Sequence, residues 1–213
     1  MKQLLCYGDS NTWGLIPGTT GRFSWEKRWT GMLQNRLADQ KIRILEEGLC
    51  GRTTVYQDVS RPNRNGLETL PFILETHRPI DAAIVMLGTN DCKTAYHATA
   101  SEIAEGLKQC LELILEVLPA EKILAVSPIW LGENVWKPEF DPEFDKNSVS
   151  VSRRLYEEYR KVTEPLGISL LNAAEAAQPS SEDQEHLSEE GHRLLAEAIY
   201  QEITVKKITG QSQ

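Results

Sequence analysis

The sequence lacks a long apolar run and has no excess of positive charge. No segment approaches the length of a membrane-spanning helix, and the apolar run over residues 4–7 is too short for the hydrophobic region of a signal peptide. Lysine and arginine number 23 against 31 aspartates and glutamates, which gives a net charge of −8. An acidic chain disfavours nucleic acid and anionic membranes as main partners. We therefore expect a cytoplasmic protein that binds neither nucleic acid nor membrane.

Cysteine is scarce, and its placement argues against two kinds of site. The four cysteines stand far apart, without a CxxC pair or a Cys/His cluster, at Cys6, Cys50, Cys92 and Cys110. Neither a structural zinc nor a disulfide framework is therefore indicated. We expect no metal and no organic cofactor.

What the chain does contain is a regular alternation of apolar runs and helical periodicities. Runs typical of buried strands cover residues 4–7, 41–46, 82–87, 123–126 and 168–171. Spacings of three and four predict helices over residues 29–37, 67–76, 103–118, 149–166 and 187–205. Short apolar strands joined by helices form parallel sheets that are covered on both faces. The sequence predicts one α/β domain over residues 1–213, a three-layer α/β/α sandwich of flavodoxin-like type with a five-stranded parallel sheet and a frayed tail over 206–213.

Polar residues follow the predicted strands. The segments are Gly8-Asp9-Ser10-Asn11, residues 47–53, Gly88-Thr89-Asn90-Asp91, residues 127–130 and Asp183-Gln184-Glu185-His186. The carboxyl ends of parallel strands meet at one edge of the sheet, where open α/β sheets carry their sites. We expect these five segments to converge there.

The converging residue types are those that acyl transfer needs. A serine such as Ser10 is a poor nucleophile until a base accepts its proton. His186 is the candidate base, and Asp183 is the candidate acid that orients it. The oxyanion that develops on an ester carbonyl needs preorganised donors. The backbone N–H groups of Ser10 and Gly51 and the side-chain amide of Asn90 are the candidates.

Four motifs together resemble the SGNH/GDSL hydrolase family. GDSN follows the first strand, a glycine the second and GTND the third, and DQEH precedes the last helix. The flanking segments LCYGDSNTWG, EEGLCGRTT and MLGTNDCK are similar to the branch of bacterial aryl esterases and acyltransferases. Each motif alone is a weak signal, but their order on the predicted elements is specific. The resemblance implies the fold of that family, a triad of Ser10, His186 and Asp183, and oxyanion donors at Ser10, Gly51 and Asn90.

Positions beside the motifs are further candidates. Asp9 is expected to stabilise the turn before Ser10. Asn11 stands where GDSL proteins have leucine and is a candidate for shaping the acyl or alcohol pocket. Glu46 or Glu47 stands where many members of the family have asparagine, so the local hydrogen bonding is expected to differ.

Each motif residue also has a purely structural interpretation. A lone Gly-Asp-Ser is usually a helix start, and a lone Asn-Asp is usually a loop cap. We interpret His192 as structural or solvent-facing, and His77 and His97 as surface residues. An acidic run is interpreted as solvated residues around a helix start: Glu182, Glu185, Glu189 and Glu190.

The substrate is less well defined than the chemistry. Trp13, Trp130 and Trp136 follow strand ends, where they either form an apolar wall for an acyl or aryl group or pack under loops. Residues 131–148 form a long insertion that is either a lid or a subunit contact. In the acyltransferase branch, subunit contacts narrow the site and exclude water. The resemblance therefore implies a homo-oligomer and acyl transfer to alcohols.

The sequence thus predicts a serine esterase that hydrolyses small acetyl, short-acyl or aryl esters through an acyl-Ser10 intermediate. The same machinery would serve a carbohydrate O-deacetylase, a thioesterase or a lysophospholipase. Outside the enzymes, the alternative is a flavodoxin-like module that binds a small ligand without turnover. The intact set of Ser10, Asp183 and His186 disfavours a pure binder, which needs no nucleophile beside a base.

Overall fold

The computed structural model describes residues 1–210 and alternates strands with helices. The strands are β1 (Lys2–Gly8), β2 (Ile42–Gly48), β3 (Ala82–Met86), β4 (Ile123–Ser127) and β5 (Ser169–Asn172). The α-helices are α1 (Ser10–Trp13), α2 (Trp29–Arg36), α3 (Gly66–Thr76), α4 (Ala100–Leu115), α5 (Lys146–Leu166), α6 (Ala173–Ala176) and α7 (Glu189–Val205). This order confirms the predicted alternation of strand and helix.

All neighbouring strands pair in parallel, in the order β2-β1-β3-β4-β5. Leu5 of β1 lies opposite Leu45 of β2 on one side and Ala83 of β3 on the other. The chain moves outward from β1 to β2 and then returns past β1 to β3, so the winding reverses between β1 and β3. Sheets of this kind carry their ligands beyond the carboxyl ends of the strands at that point. The predicted α/β/α sandwich with five parallel strands is confirmed.

The sheet separates two apolar clusters. Side chains alternate across β1, so that Leu5 and Tyr7 pack with α3, α4 and α5, whereas Leu4 and Cys6 pack with α2 and α7. All five residues of β3 are buried. A strand covered on both faces has no solvent side, which explains why the central strands are apolar throughout rather than alternating with polar residues.

Capping side chains set the helix ends, which periodicity had placed a few residues away. Helix α4 begins at a capping box formed by Thr99 and Glu102, three residues before its predicted start. Helix α7 begins at Glu189 because the Ser188 hydroxyl accepts the Gly191 N–H at 3.1 Å. His186 therefore stays in the loop before α7.

The tail is packed where the structure describes it, so the expectation of fraying over 206–210 is wrong. Ile208 is fully buried in the cluster between the sheet and α7. Lys2 Nζ donates to the carbonyls of Thr209 and Gly210, at 3.0 Å each. Residues 211–213 of the predicted tail lie outside the described residues.

Within residues 1–210, none of the helices combines the length and the apolar character that crossing a membrane requires.

Candidate functional site

Ser10 and His186 lie side by side at the carboxyl edge of the sheet, although they are 176 positions apart in the sequence. Ser10 opens α1 directly after β1, and its Oγ lies 2.9 Å from His186 Nε2. On the other side of the ring, His186 Nδ1 lies 2.8 Å from Asp183 Oδ2. Asp183 Oδ1 also accepts the backbone N–H groups of Glu185 and His186, at 3.0 and 2.9 Å. The Asp183 carboxylate therefore fixes both the backbone of the loop that carries His186 and the orientation of the imidazole ring.

The turn that presents Ser10 is built by the two residues before it. Asp9 Oδ1 accepts the backbone N–H of Asn11 at 2.9 Å and so caps α1. A side chain at Gly8 would lie 2.1 Å from Thr12 Oγ1, so only glycine lets the chain turn this sharply. Burial raises the pKa of Asp9 to about 6.

Asn11 turns away from Ser10 and contacts the loop of the imidazole. Its side-chain oxygen accepts the backbone N–H of Leu187 at 2.9 Å, and both residues are buried. The residue after Ser10 is thus tied to the residue after His186. Among the described residues Asn11 is not part of the cavity wall beside Ser10, and its role in shaping the acyl or alcohol pocket stays a prediction.

Three N–H donors border the same cavity as Ser10. In the described chain, the backbone N–H groups of Ser10 and Gly51 donate to no other backbone or side-chain group. Asn90 Nδ2 donates to the Arg52 carbonyl at 3.1 Å, which leaves its second hydrogen free. Gly51 has a φ of 84°, and a Cβ there would lie 2.9 Å from the Arg61 guanidinium. Glycine at this position keeps the backbone N–H open to a ligand.

A buried arginine that sequence analysis did not single out supports the loop of Gly51. Arg52 Nη1 donates to the carbonyl of Gly8 at 2.8 Å and to that of Glu47. Its guanidinium carbon lies 4.1 Å from the ring centroid of Tyr7. The contacts join the ends of β1 and β2, and no sequence signal distinguishes such an arginine from a surface one.

Asp91 connects the loop of Asn90 to the segment that follows Gly51. Its Oδ1 accepts the backbone N–H of Thr54 at 2.9 Å and the Thr54 hydroxyl at 2.5 Å. Burial raises the pKa of Asp91 to about 7. The buried carboxyl group of Asp91 therefore fixes the loop of the Asn90 amide relative to the segment that follows the Gly51 N–H.

The cavity beside Ser10 is small and its wall is charged. Its volume is about 200 Å³, and its wall includes one aliphatic side chain among the described residues, Leu15. Five charged side chains line it: Arg61, Lys93, Asp141, Glu143 and Glu185. A wall of this composition suits a small and polar ligand.

Of the two alternatives for Trp13 and Trp130, the structure favours packing over an apolar wall, because in the described chain neither residue lines this cavity. The guanidinium of Arg22 covers Trp13 at 4.9 Å from the ring centroid, and that of Arg153 covers Trp130 at 5.7 Å. Both indoles are half-buried under arginine, which is the packing alternative considered for them.

The insertion over residues 131–148 forms part of the cavity wall within a single chain. Its start is held by the Gly132 N–H, which donates to the Gln184 carbonyl at 2.7 Å. Farther along, the carbonyl of Glu143 accepts the Thr94 N–H at 2.9 Å, and its carboxylate pairs with Lys93. The insertion thereby brings Asp141 and Glu143 to the cavity.

Of the three histidines outside the series, two make contacts within the fold and one is exposed. His192 is fully buried, its Nδ1 accepts the Trp29 N–H at 3.3 Å, and burial lowers its pKa to about 3. His77 Nε2 lies 2.6 Å from Glu47 Oε1 at a half-buried position, while His97 is exposed as expected.

The acidic run before α7 is only partly solvated. Glu182, Glu189 and Glu190 are exposed, as expected. Glu185 is only 6% exposed, which corrects its interpretation as a solvated residue. The hydrogen bonds from the Glu185 and His186 N–H groups to Asp183 turn this part of the loop inward and bury both side chains.

The charges around the imidazole favour its protonated form. Burial alone would lower the pKa of His186, but Glu185, Asp183 and Asp9 together raise it to about 9. Burial would conversely raise the pKa of Asp183, but the hydrogen bond and charge of His186 lower it to about 2. The surroundings therefore favour an imidazolium and a carboxylate over the neutral pair.

A serine, an imidazole and a carboxylate in hydrogen-bonded series, at the edge of a parallel sheet, define a class of protein: acyl hydrolases with an α/β fold. The chain belongs to the GDSL-like lipase/acylhydrolase family, whose model matches residues 6–194. It is therefore a carboxylic ester hydrolase, and its substrates are small-molecule esters.

Two solved structures of similar sequence are esterases. The chain is 34% identical to Est24, a carbohydrate acetylesterase from Sinorhizobium meliloti, with a TM-score of 0.87 over 96% of this chain and 99% of that one. It is 32% identical to the M. smegmatis aryl esterase, with the same TM-score and coverage. A lipase/acylhydrolase from Enterococcus faecalis shares the fold, at 17% identity and a TM-score of 0.72 over 97% of each chain. A comparison with curated protein sequences gave no match.

Proposed function

We propose that this esterase hydrolyses small acetyl and short-acyl esters through an acyl intermediate on Ser10. The observation that carries the proposal is the series from Ser10 Oγ to His186 Nε2, at 2.9 Å, and from His186 Nδ1 to Asp183 Oδ2, at 2.8 Å. A hydroxyl in hydrogen-bond reach of a base, with the base oriented by a third group, is the arrangement of an activated nucleophile.

The proposed reaction proceeds in two halves. His186 Nε2 accepts the Ser10 proton while Oγ attacks the ester carbonyl, and the oxyanion receives hydrogen bonds from the N–H groups of Ser10 and Gly51 and from the Asn90 amide. His186 then donates the proton to the leaving alcohol, and the acyl group stays on Ser10. Water, deprotonated by His186, attacks the acyl-enzyme, and the acid leaves as Ser10 regains its proton.

The pH dependence of hydrolysis follows from the charge on His186. The base must be neutral to accept the Ser10 proton, and its pKa is raised to about 9. We therefore expect kcat/KM for phenyl acetate to rise with pH and to reach half of its plateau near pH 9. A pH-stat titration, corrected with the Ser10→Ala protein for alkaline hydrolysis, measures the profile. A midpoint at about 6.5, the ordinary value for imidazole, would show that the surrounding carboxylates do not act on the base.

The size and polarity of the cavity favour a short acyl group on a polar alcohol. A volume of about 200 Å³ holds an acetyl group and a small alcohol, and the charged wall contains Arg61, Asp141 and Glu185. A carbohydrate O-deacetylase is therefore a second candidate, supported by this wall and by the 34% identity to the Sinorhizobium carbohydrate acetylesterase. Aryl esters remain in the proposal because the M. smegmatis structure is an aryl esterase at 32% identity.

Acyl transfer to alcohols and assembly into a homo-oligomer are further parts of the proposal. An acyl group on Ser10 can be attacked by an alcohol in place of water, since His186 would accept either proton. The resemblance to the acyltransferase branch supports both parts. The insertion over residues 131–148, which already contributes Asp141 and Glu143 to the cavity wall, is the segment where a second subunit would narrow the site.

A panel of esters tests the proposed function. We expect turnover of phenyl acetate and of acetylated xylo-oligosaccharide, whereas preferential turnover of acyl-CoA would favour the thioesterase alternative. Repeating the panel with added alcohol and quantifying the new ester by gas chromatography separates transfer from hydrolysis. The absence of turnover with every ester, and of a burst of alcohol, would favour a binding module over an enzyme.

A further inference from the structure

Glu185 is a buried carboxylate beside the imidazole, on the side that faces Ser10. Its Oε1 lies 3.7 Å from His186 Nε2, while Asp183 occupies the Nδ1 side at 2.8 Å. The side chain is 8% exposed and lines the cavity. His186 therefore lies between two carboxylates, and Glu185 is the one on the side where the leaving alcohol must receive its proton.

The carboxylate of Glu185 has no hydrogen-bond donor within the described chain. Its closest cationic neighbour in the described chain is His186 Nε2, which at 3.7 Å is beyond hydrogen-bond distance and already faces Ser10 Oγ at 2.9 Å. Burial raises the pKa of Glu185 because the charged form is removed from water. When His186 is neutral, as proton transfer from Ser10 requires, the buried Glu185 carboxylate lacks both a charged partner on the imidazole and a hydrogen-bond donor, so a ligand that donates hydrogen bonds would be stabilised there.

The other charged groups of the cavity offer both donors and acceptors to a ligand. Lys93 pairs with Glu143, and Arg61 Nε donates to Asp58 at 2.8 Å, while the remaining N–H groups of both cations can still donate. Asp141 receives one hydrogen bond, from a backbone N–H at 2.9 Å. The acceptors that the cavity offers to a ligand are the carboxylate of Glu185 and the carboxylate oxygen of Asp141 that receives no hydrogen bond within the described residues.

We propose that Glu185 is a specificity-determining residue that accepts hydrogen bonds from hydroxyl groups on the alcohol part of the ester. The inference rests on the proposed function and names its preferred substrates, acetyl esters of polyhydroxylated alcohols such as pyranosides. A hydroxyl group beside the scissile ester oxygen satisfies the buried carboxylate, whereas an aliphatic ring leaves it unpaired. The resulting difference in binding acts in the transition state and so appears in kcat/KM.

The test compares two acetates of similar size. One is methyl β-xyloside with a single acetyl group, which keeps free hydroxyls, and the other is cyclohexyl acetate, which has none. The readout is the ratio of their kcat/KM values on the high-pH plateau. Because Glu185 also raises the pKa of His186, its replacement shifts the pH profile for every substrate, and the plateau ratio cancels that shift together with any loss of folded enzyme.

Glu185→Gln, which keeps the shape and removes the charge, should lower the ratio by about tenfold or more, the effect of losing a charged hydrogen bond. Glu185→Leu removes both acceptor atoms and should lower the ratio further. The control is Glu182→Gln, an exposed position in the same loop that loses the same charge, and it should leave the ratio unchanged. Titration of active enzyme with a phosphonate shows that each variant is folded.

An unchanged ratio in Glu185→Gln and Glu185→Leu would overturn the assignment of Glu185 and leave the esterase intact, because cyclohexyl acetate would still be hydrolysed. A wild-type protein that hydrolyses neither acetate would overturn the proposed function and this inference together. If the ratio stays the same while kcat/KM falls equally for both acetates, Glu185 acts only through His186. That result also contradicts selection of hydroxyl groups.

Discussion

Replacing Ser10 with alanine should lower kcat for phenyl acetate by about 10⁴-fold or more, since removing the nucleophile of a triad leaves only the contribution of the oxyanion donors and of substrate binding. The fold should be unaffected. Ser10 Oγ makes one side-chain hydrogen bond, to His186 at 2.9 Å, and the backbone of α1 is capped by Asp9 rather than by Ser10. Thermal unfolding followed by circular dichroism measures the stability of both proteins.

Covalent labelling tests the Ser10 hydroxyl as the nucleophile independently of turnover. A serine-directed phosphonate should add one group to the wild-type protein, and peptide mapping should place it on Ser10. Ser181→Ala is the matched control, because it removes an exposed hydroxyl from the loop that carries His186 and should keep both labelling and activity. Label on any other residue, or substantial hydrolysis by folded Ser10→Ala, would remove Ser10 from the mechanism.

Replacing Asn90 with alanine should lower kcat by about 100-fold or more, with a smaller change in KM. The expected size is that of removing one donor from an oxyanion hole, a contact that strengthens as charge develops on the carbonyl oxygen. Steady-state rates of phenyl acetate hydrolysis, measured at the pH plateau, give kcat and KM separately.

Asn90 also has a structural contact, and the controls must separate the two roles. Its Nδ2 donates to the Arg52 carbonyl at 3.1 Å, so the alanine variant loses some stability as well. Asn90→Asp keeps the shape and supplies an acceptor in place of a donor, and its kcat should fall at least as far. A folded Asn90→Ala protein with the wild-type kcat would exclude an oxyanion role, whereas reduced thermal stability with unchanged kcat would leave only the contact to Arg52.

The fold follows from local patterns that are legible along the chain. Five apolar runs predicted five parallel strands, and each run contributes to a strand of the sheet. The runs are reliable because a strand buried on both faces tolerates few polar residues. The helix ends were less accurate, since side-chain caps such as Thr99 and Ser188, rather than the apolar stripe, set where α4 and α7 begin.

The motif order also indicated which residues would meet. Ser10, Gly51, Asn90 and His186 each follow a strand or precede the last helix, and the rule for open α/β sheets sends such positions to one edge. The structure brings Ser10, His186 and Asp183 into one hydrogen-bonded series. Their catalytic roles stay predictions until the Ser10 and Asn90 variants are measured.

Other features of the site depend on long-range packing and had no local signal. Asn11 contacts Leu187, 176 positions away, and Ile208 fills the core beside α7. Trp13 and Trp130 pack under arginines rather than at the cavity, and Glu185 is turned inward by the contacts of its loop with Asp183. None of these positions can be read from neighbouring residues.

Strand periodicity was therefore enough to predict the α/β class, and the residue types at strand ends, together with their resemblance to the SGNH/GDSL family, predicted the chemistry of an acyl hydrolase. Both depend on local patterns and on the geometry of parallel sheets. The polarity of the cavity and the burial of Glu185 could be known only once the chain was folded. They depend on which loops meet beyond the sheet edge, and that is set by contacts between residues far apart in the sequence.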